Sequence, residues 1–488
     1  PQQEQAFDFQ YSYEKETRDL AFLSLLDFRK SALTDSFHIV IDLPLAHTLH
    51  YQLEDSLKQS AWLQIKEEEI AGHRRYVFEG RPARSDGYPT GIGAMIRLMV
   101  TPNGGAPYDY YNDWYRMLVR PTAVLGEDLK KEIRQQVAGM EEDRQRIETI
   151  FNLIKDRTSY IAFEEGLGAV QPRDVNRIWM AQQGDCKDMS NLLCSALREL
   201  GYEAHLALSA TIGHHFDLDF PSVASANHAI CVLKLADHWL YLDATEDSGF
   251  YAYPSRQIQG RNIFIIDEEA GQLHRVPVVA SQSNRVLHRV QLAQQGSRLE
   301  GEVNYEYFGL SQLTFRDAQK LLAQSRLQQK LQKYLAGQSA NLNYKDLELL
   351  VQDSTCQIKA RIRSDRNITT IRNKHYLSLA FLPKPNRQVI SSDAVSVHFY
   401  ETSHRDFAVE LTLDQPIILK AFEPVEVSEN GLHFSFQVDQ TAPNQLTIEY
   451  RYINELLKLE GDQLQTFRNI DQLIEQTFQK SIIYEDPT

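Results

Sequence analysis

The chain has 488 residues, beyond the ~250–300 at which a single core stops growing, so two to four domains are expected. Hydrophobic residues at 42% and aromatics at 10% suit packed globular domains. A formal charge of −15 argues against a nucleic-acid partner, because binding a phosphate backbone draws on clustered Lys and Arg to displace counterions.

Four cysteines, Cys186, Cys194, Cys231 and Cys356, are too few and too scattered for a disulfide framework, and no CxxC pair suggests zinc. No apolar run approaches the ~18 residues of a membrane span. The chain begins with Pro1 rather than Met, from which removal of an N-terminal segment is expected.

The first hundred or so residues read as β-rich. Phe37 to Leu43 alternates with period 2, and Ala94 to Val100 is a second strand candidate, with turns marked by Gly80-Arg81-Pro82 and Gly87-Tyr88-Pro89 between them. From Glu127 to Thr158 the character changes: Leu129, Ile133, Val137, Met140, Ile147, Ile150, Phe151 and Ile154 fall at mostly helical intervals. The domains are expected at 1–120 (β-rich), 121–283 and 284–488. In the last of these Phe407 to Leu413, Leu432 to Val438 and Leu446 to Tyr452 alternate strictly, the pattern of a β-sandwich with one buried face per sheet. One helix is expected at Thr314–Leu335 and another at Asp462–Phe478.

Between these regions lies the stretch QQGDCKDMSNLLCSALRELGYEA, residues 182–204. Met189, Leu192, Leu193, Ala196, Leu197 and Leu200 form one helical stripe, and Gly201 ends it. Cys186 therefore stands at the amino end of a buried helix, where unpaired N–H groups and the positive end of the dipole favour a thiolate and can receive an oxyanion. A thiolate needs a base, and the base an orienting group. Asn227-His228 opens an apolar strand that runs to Leu235. Ala236-Asp237 then makes a turn, and His238 to Thr245 returns. With a two-residue turn, Asp243 pairs opposite Ile230 and lies diagonal to His228, within reach of the imidazole. Taken singly, a buried cysteine is more often packing than chemistry and a strand-end His or Asp more often a surface residue. Together, in this order and with matching parity, they point to a site.

The runs Gly184-Asp185-Cys186-Lys187-Asp188, Asn227-His228-Ala229-Ile230 and Leu242-Asp243-Ala244-Thr245 resemble the transglutaminase-like superfamily of papain-like Cys-His-Asp proteins. More narrowly, the chain is similar to a bacterial group in which that domain sits between an N-terminal β domain of unknown function and a C-terminal β domain. Tyr160 to Phe163, Gln171-Pro172, Tyr253-Pro254 and Gln259-Gly260 also fit that group's pattern. The resemblance implies an α+β fold, with the Cys helix packed on an antiparallel sheet and flanked by two mainly-β domains. It implies Cys186 as nucleophile, His228 as general base and acid, and Asp243 as the group that orients the imidazole. The group often has Phe before Asn-His and Pro after Asp, where this chain has Ala226 and Ala244; neither departure removes a reacting atom.

Two functions follow as expectations. One is acyl transfer through a thioester on Cys186, on a peptide, protein or cell-wall amide, with hydrolysis favoured over crosslinking. The other is a non-catalytic envelope protein that uses the fold as a scaffold. The export habit of the bacterial group leads us to expect a periplasmic or envelope location. No cofactor or metal is expected. His214, His215, Asp217 and Asp219 lie close together, but in a polar loop without an HExxH or Cys-rich partner, and the resemblance places this loop beside the cleft. Tyr160 is expected in core packing more than in the cleft wall.

Overall fold

The computed structural model describes residues 12–27, 36–58, 62–81, 95–102, 104–163, 165–236, 238–246, 252–339, 341–352, 354–385, 390–391 and 394–487. The turn expected at 87–89, residue Pro82 and residue Ala94 lie outside them. The architecture is α+β: a central helix-and-sheet region between two mainly-β regions. Among the described residues no helix is long and apolar enough to cross a membrane.

The N-terminal region holds two antiparallel three-stranded sheets. In one, Met95–Pro102 lies between Leu25–Asp27 and His47–Leu53; in the other, His73–Gly80 lies between Phe37–Pro44 and Leu63–Ile70. Their core contains Ile41, Leu43, Leu49, Tyr76, Phe78, Ile96, Leu98 and Val100. Strand Met95–Pro102 is buried from Met95 to Thr101, on both faces. Its even-numbered side chains fill the N-terminal core, whereas Met99 joins the central one, and a strand covered on both sides loses polar alternation.

In the central region, helices Pro107–Val119, Glu127–Gln136, Asp143–Arg157 and Val175–Ala181 surround helix Cys186–Glu199, and all five contribute to one core. The periodic segment 127–158 is two helices rather than a continuous one. Gly139 turns the chain between them with a φ of 81°, a conformation that costs glycine little and other residues more. Helix Cys186–Glu199 lies on a five-stranded antiparallel sheet in the order Trp239–Leu242, His228–Lys234, Glu203–Ser209, Asn262–Ile265, Gln272–Arg275. The sheet alternates as period 2 requires. Leu206, Leu208, Ala229, Cys231 and Leu233 face the helices, while Ala207, Ile230, Val232, Ile263 and Ile265 form a second core on the other side.

The C-terminal region is an eight-stranded sheet whose one parallel pair, Arg285–Gln295 with Ser403–Thr412, joins two antiparallel halves. A smaller four-stranded sheet and three helices share its core. The helix expected at 314–335 is two, Leu313–Leu321 and Gln324–Gln338. At 3.6 residues per turn, Phe315 and Ala318 would point about 180° away from Leu327 and Leu331 on a straight helix. All four are buried, and the break at Leu322–Ala323 lets both stripes reach the core. Helix Gly461–Phe478 matches the sequence reading within one residue.

Candidate active site

Cys186 is the first residue of its helix, and the turn beneath it is held by a reciprocal cap. The Asp185 carboxylate accepts the Asp188 backbone N–H, and the Asp188 carboxylate accepts that of Asp185. Asp188 is buried and also takes the Arg173 backbone N–H at 2.7 Å and the Arg173 guanidinium Nε at 2.9 Å. Lys187, buried as well, pairs with Asp185. Four charges thus meet at the base of Cys186 in two satisfied pairs, which is how charges survive burial. The packing is close: a Cβ at Gly184 would come within 3.0 Å of the Asp188 Cβ.

The hairpin has the register read from the sequence. Cys231 pairs with Leu242 and Lys234 with Trp239, and the Leu235 N–H donates to the His238 carbonyl at 2.9 Å; Asp237 itself lies outside the described residues. The returning strand is shorter than expected, Trp239–Leu242, so Asp243 stands just past its end. There its Oδ2 lies 2.8 Å from His228 Nε2. Its Oδ1 accepts the Thr245 hydroxyl at 2.6 Å and the Thr245 N–H at 3.1 Å. The Thr245 bonds fix the carboxylate, a supporting role the sequence reading did not assign; an acceptor two residues before a Thr is the local signal that could have shown it.

With Nε2 engaged by Asp243, Nδ1 is the remaining ring nitrogen, and Cys186 lies close enough to His228 to help raise its pKa. Burial pulls the imidazole toward its neutral form, but the charge and hydrogen bond of Asp243, together with Cys186, outweigh it and raise the pKa to about 10. For Asp243, burial favours the neutral acid and is outweighed by the charge of His228 and the bonds from His228 and Thr245, leaving the pKa below its ordinary value. His228 opens its strand at the rim of the sheet, on the row opposite the helix-facing Ala229 and Cys231.

Cys194, Cys231 and Cys356 are fully buried, whereas Cys186 is only partly so. The other cluster singled out in the sequence is used within the protein. His214 Nε2 bonds the Ala224 carbonyl at 3.0 Å, Asp217 takes the Asn262 N–H at 2.9 Å, and Asp219 pairs with Arg97 at 2.6 Å. Tyr160 is not in the core: it is 51% exposed beside the Cys186 helix.

Residues 131–244 match the sequence model of the transglutaminase-like superfamily, a span that contains Cys186, His228 and Asp243. The chain carries a transglutaminase-like domain. Among solved structures, a "putative protease" from Parabacteroides distasonis ATCC 8503 shares 10% identity and superimposes with a TM-score of 0.54, covering 93% of this chain and 72% of that one. At that identity the likeness is one of fold, and it extends beyond the transglutaminase-like domain into both flanking regions. A "putative cysteine protease" from Cytophaga hutchinsonii shares 12% identity with a TM-score of 0.22, covering 46% of this chain and 74% of that one. No curated protein sequence matches the chain.

Proposed function

We propose that the protein is a cysteine-dependent acyltransferase acting on a peptide or amide, and that water is its usual acceptor. The observation that carries this reading is the connected row of Cys186, His228 and Asp243, with a 2.8 Å bond between the last two. His228 takes the Cys186 proton, and the sulfur adds to the substrate carbonyl carbon. The N–H groups of Cys186 and Lys187, at the first helical positions, have no hydrogen-bond acceptor among the described residues, so they can receive the developing oxyanion. As the tetrahedral adduct collapses, the C–N bond breaks and His228 returns the proton to the leaving amine. Water, deprotonated by His228, then adds to the thioester; the C–S bond breaks and the acid leaves. A primary amine in place of water would give a crosslink by the same steps.

The test is to incubate the protein with a library of peptides and cell-wall fragments and follow acyl-enzyme by mass spectrometry. A mass increment on Cys186 that decays with time in wild type, accumulates at low pH and is missing from Cys186→Ala is expected. A protein that binds fragments without a Cys186 adduct under any condition would support the scaffold reading instead. We also propose an exported location. The burial of three thiols supports it, since exposed spare thiols oxidise in such compartments. A thiol reagent should modify about one cysteine in the native protein.

A further inference from the structure

The segment from Tyr160 to Leu167 carries an exposure that folding alone does not account for. Tyr160, Ile161, Phe163 and Leu167 are 51%, 40%, 39% and 44% exposed. No other stretch of eight among the described residues holds more than two exposed large apolar side chains. Scattered single cases are ordinary on a protein surface, but a contiguous group marks a binding face.

The segment is also tied to the nucleophile. The Ser159 N–H donates to the Gln182 carbonyl at 2.8 Å, the Ile161 N–H to the Gly184 carbonyl at 2.9 Å, and the Phe163 N–H to the Asp185 carboxylate at 3.3 Å. Residues 159–160 therefore pair in parallel with 183–184, and 161–163 continue alongside toward Cys186. Beside this segment opens a cavity of about 510 Å³ lined by Ala162, Phe163, Glu165, Gly168, Arg173 and Lys187. Both cations of this lining are already paired, Arg173 with Asp188 and Lys187 with Asp185, so the cavity holds no spare positive charge for an acidic side chain. The Arg173 guanidinium stacks on one face of the Phe163 ring at 3.8 Å, and the apolar wall beside the cavity is made by the exposed side chains of Tyr160, Ile161, Phe163 and Leu167.

Resting on the acyl-transfer reading, we propose that this wall binds the acyl half of the substrate, and that this half is an extended peptide with an apolar side chain within two residues of the attacked carbonyl. An extended chain laid along 160–163 places alternate side chains on the wall while its carbonyl reaches Cys186, and apolar contact there supplies the selectivity.

The experiment uses three N-acetyl-dipeptidyl chloromethyl ketones identical but for one side chain, Leu, Lys or Asp, with iodoacetamide as the reagent lacking a side chain. In each ketone reaction the Cys186 S–C bond forms as chloride leaves, and second-order rates are read by mass spectrometry. The Leu ketone should react about tenfold or more faster than the other two, the range for one apolar side chain in a fitting pocket. Ile161→Asp and Leu167→Asp should each bring the Leu-to-Asp ratio toward one. Both substitutions are at exposed positions, and a melting curve confirms that each variant is folded. Equal rates for the three ketones, or a ratio untouched by both substitutions, would overturn the inference while leaving acyl transfer standing. A Cys186 that neither the ketones nor iodoacetamide modifies would overturn the acyl-transfer reading and this inference with it.

Discussion

Two segments border the Cys186–His228 pair, and they are built in opposite ways. Residues 160–167, leading toward the nucleophile, turn apolar side chains outward and rest on backbone bonds. Residues 211–227, leading to the base, carry His214, His215, Asp217 and Asp219 yet are held by buried contacts. Arg97, only 6% exposed, reaches from the N-terminal sheet to the Asp217 carbonyl at 2.9 Å, the Ser225 hydroxyl at 3.0 Å and Asp219 at 2.6 Å, with its guanidinium 4.5 Å from the Phe216 ring. Gln52, Glu54 and the Ser24 carbonyl hold the same loop through Asp219, His215 and Ser222. The difference teaches that side-chain type alone misjudges a loop's role: the loop with the His and Asp cluster is covered by protein, and the one with clustered apolar side chains is left open.

The most damaging substitution should be Arg173→Ala. It leaves the fully buried Asp188 carboxylate without its cation, a loss of about 3–5 kcal/mol by analogy with other buried pairs, measurable by denaturant unfolding. Arg97→Ala should follow. Its partner Asp219 is half exposed and can be rehydrated, so about 2–3 kcal/mol is expected, chiefly from hydrogen bonds to a charged group. A smaller loss than that of Leu167→Ala would break the contrast between the loops, because an exposed side chain should cost within about 0.5 kcal/mol.

The base of the site sets a pH signature. His228 has a folded pKa raised to about 10 over an unfolded value of ~6.5, so its bond to Asp243 stabilises fully below pH ~6.5 and is lost as pH rises toward 10. Asp243 is lowered, so its contribution is present above the ordinary carboxylate range and lost as pH falls through its folded value. Asp243→Asn removes the main force raising His228, and the alkaline limb of activity should move down by at least about one unit. An unmoved limb would assign that limb to another group.

Much of the site was legible because its signals are local. The stripe from Met189 to Leu200 fixed the helix and put Cys186 at its end, and the two-residue turn fixed the register that carries Asp243 to His228. What was not legible depends on distant packing. The Arg97 clamp spans 120 residues of sequence to Asp217, and no periodicity announces it. Tyr160 looked like core because an aromatic usually is; only the fold shows that about half of it stays exposed. The broken helix at Leu322 followed from two apolar stripes out of phase, which the sequence contained but a single-helix reading averaged away.

The central claim is that His228, held by Asp243, activates Cys186. The direct measurement is the rate of iodoacetamide alkylation at Cys186 from pH 5 to 10, located by mass spectrometry, in wild type, His228→Ala and Asp243→Asn. The account predicts that wild-type Cys186 alkylates faster than Cys186 in His228→Ala around neutral pH, with Asp243→Asn between the two. Superimposable profiles for wild type and His228→Ala would contradict it.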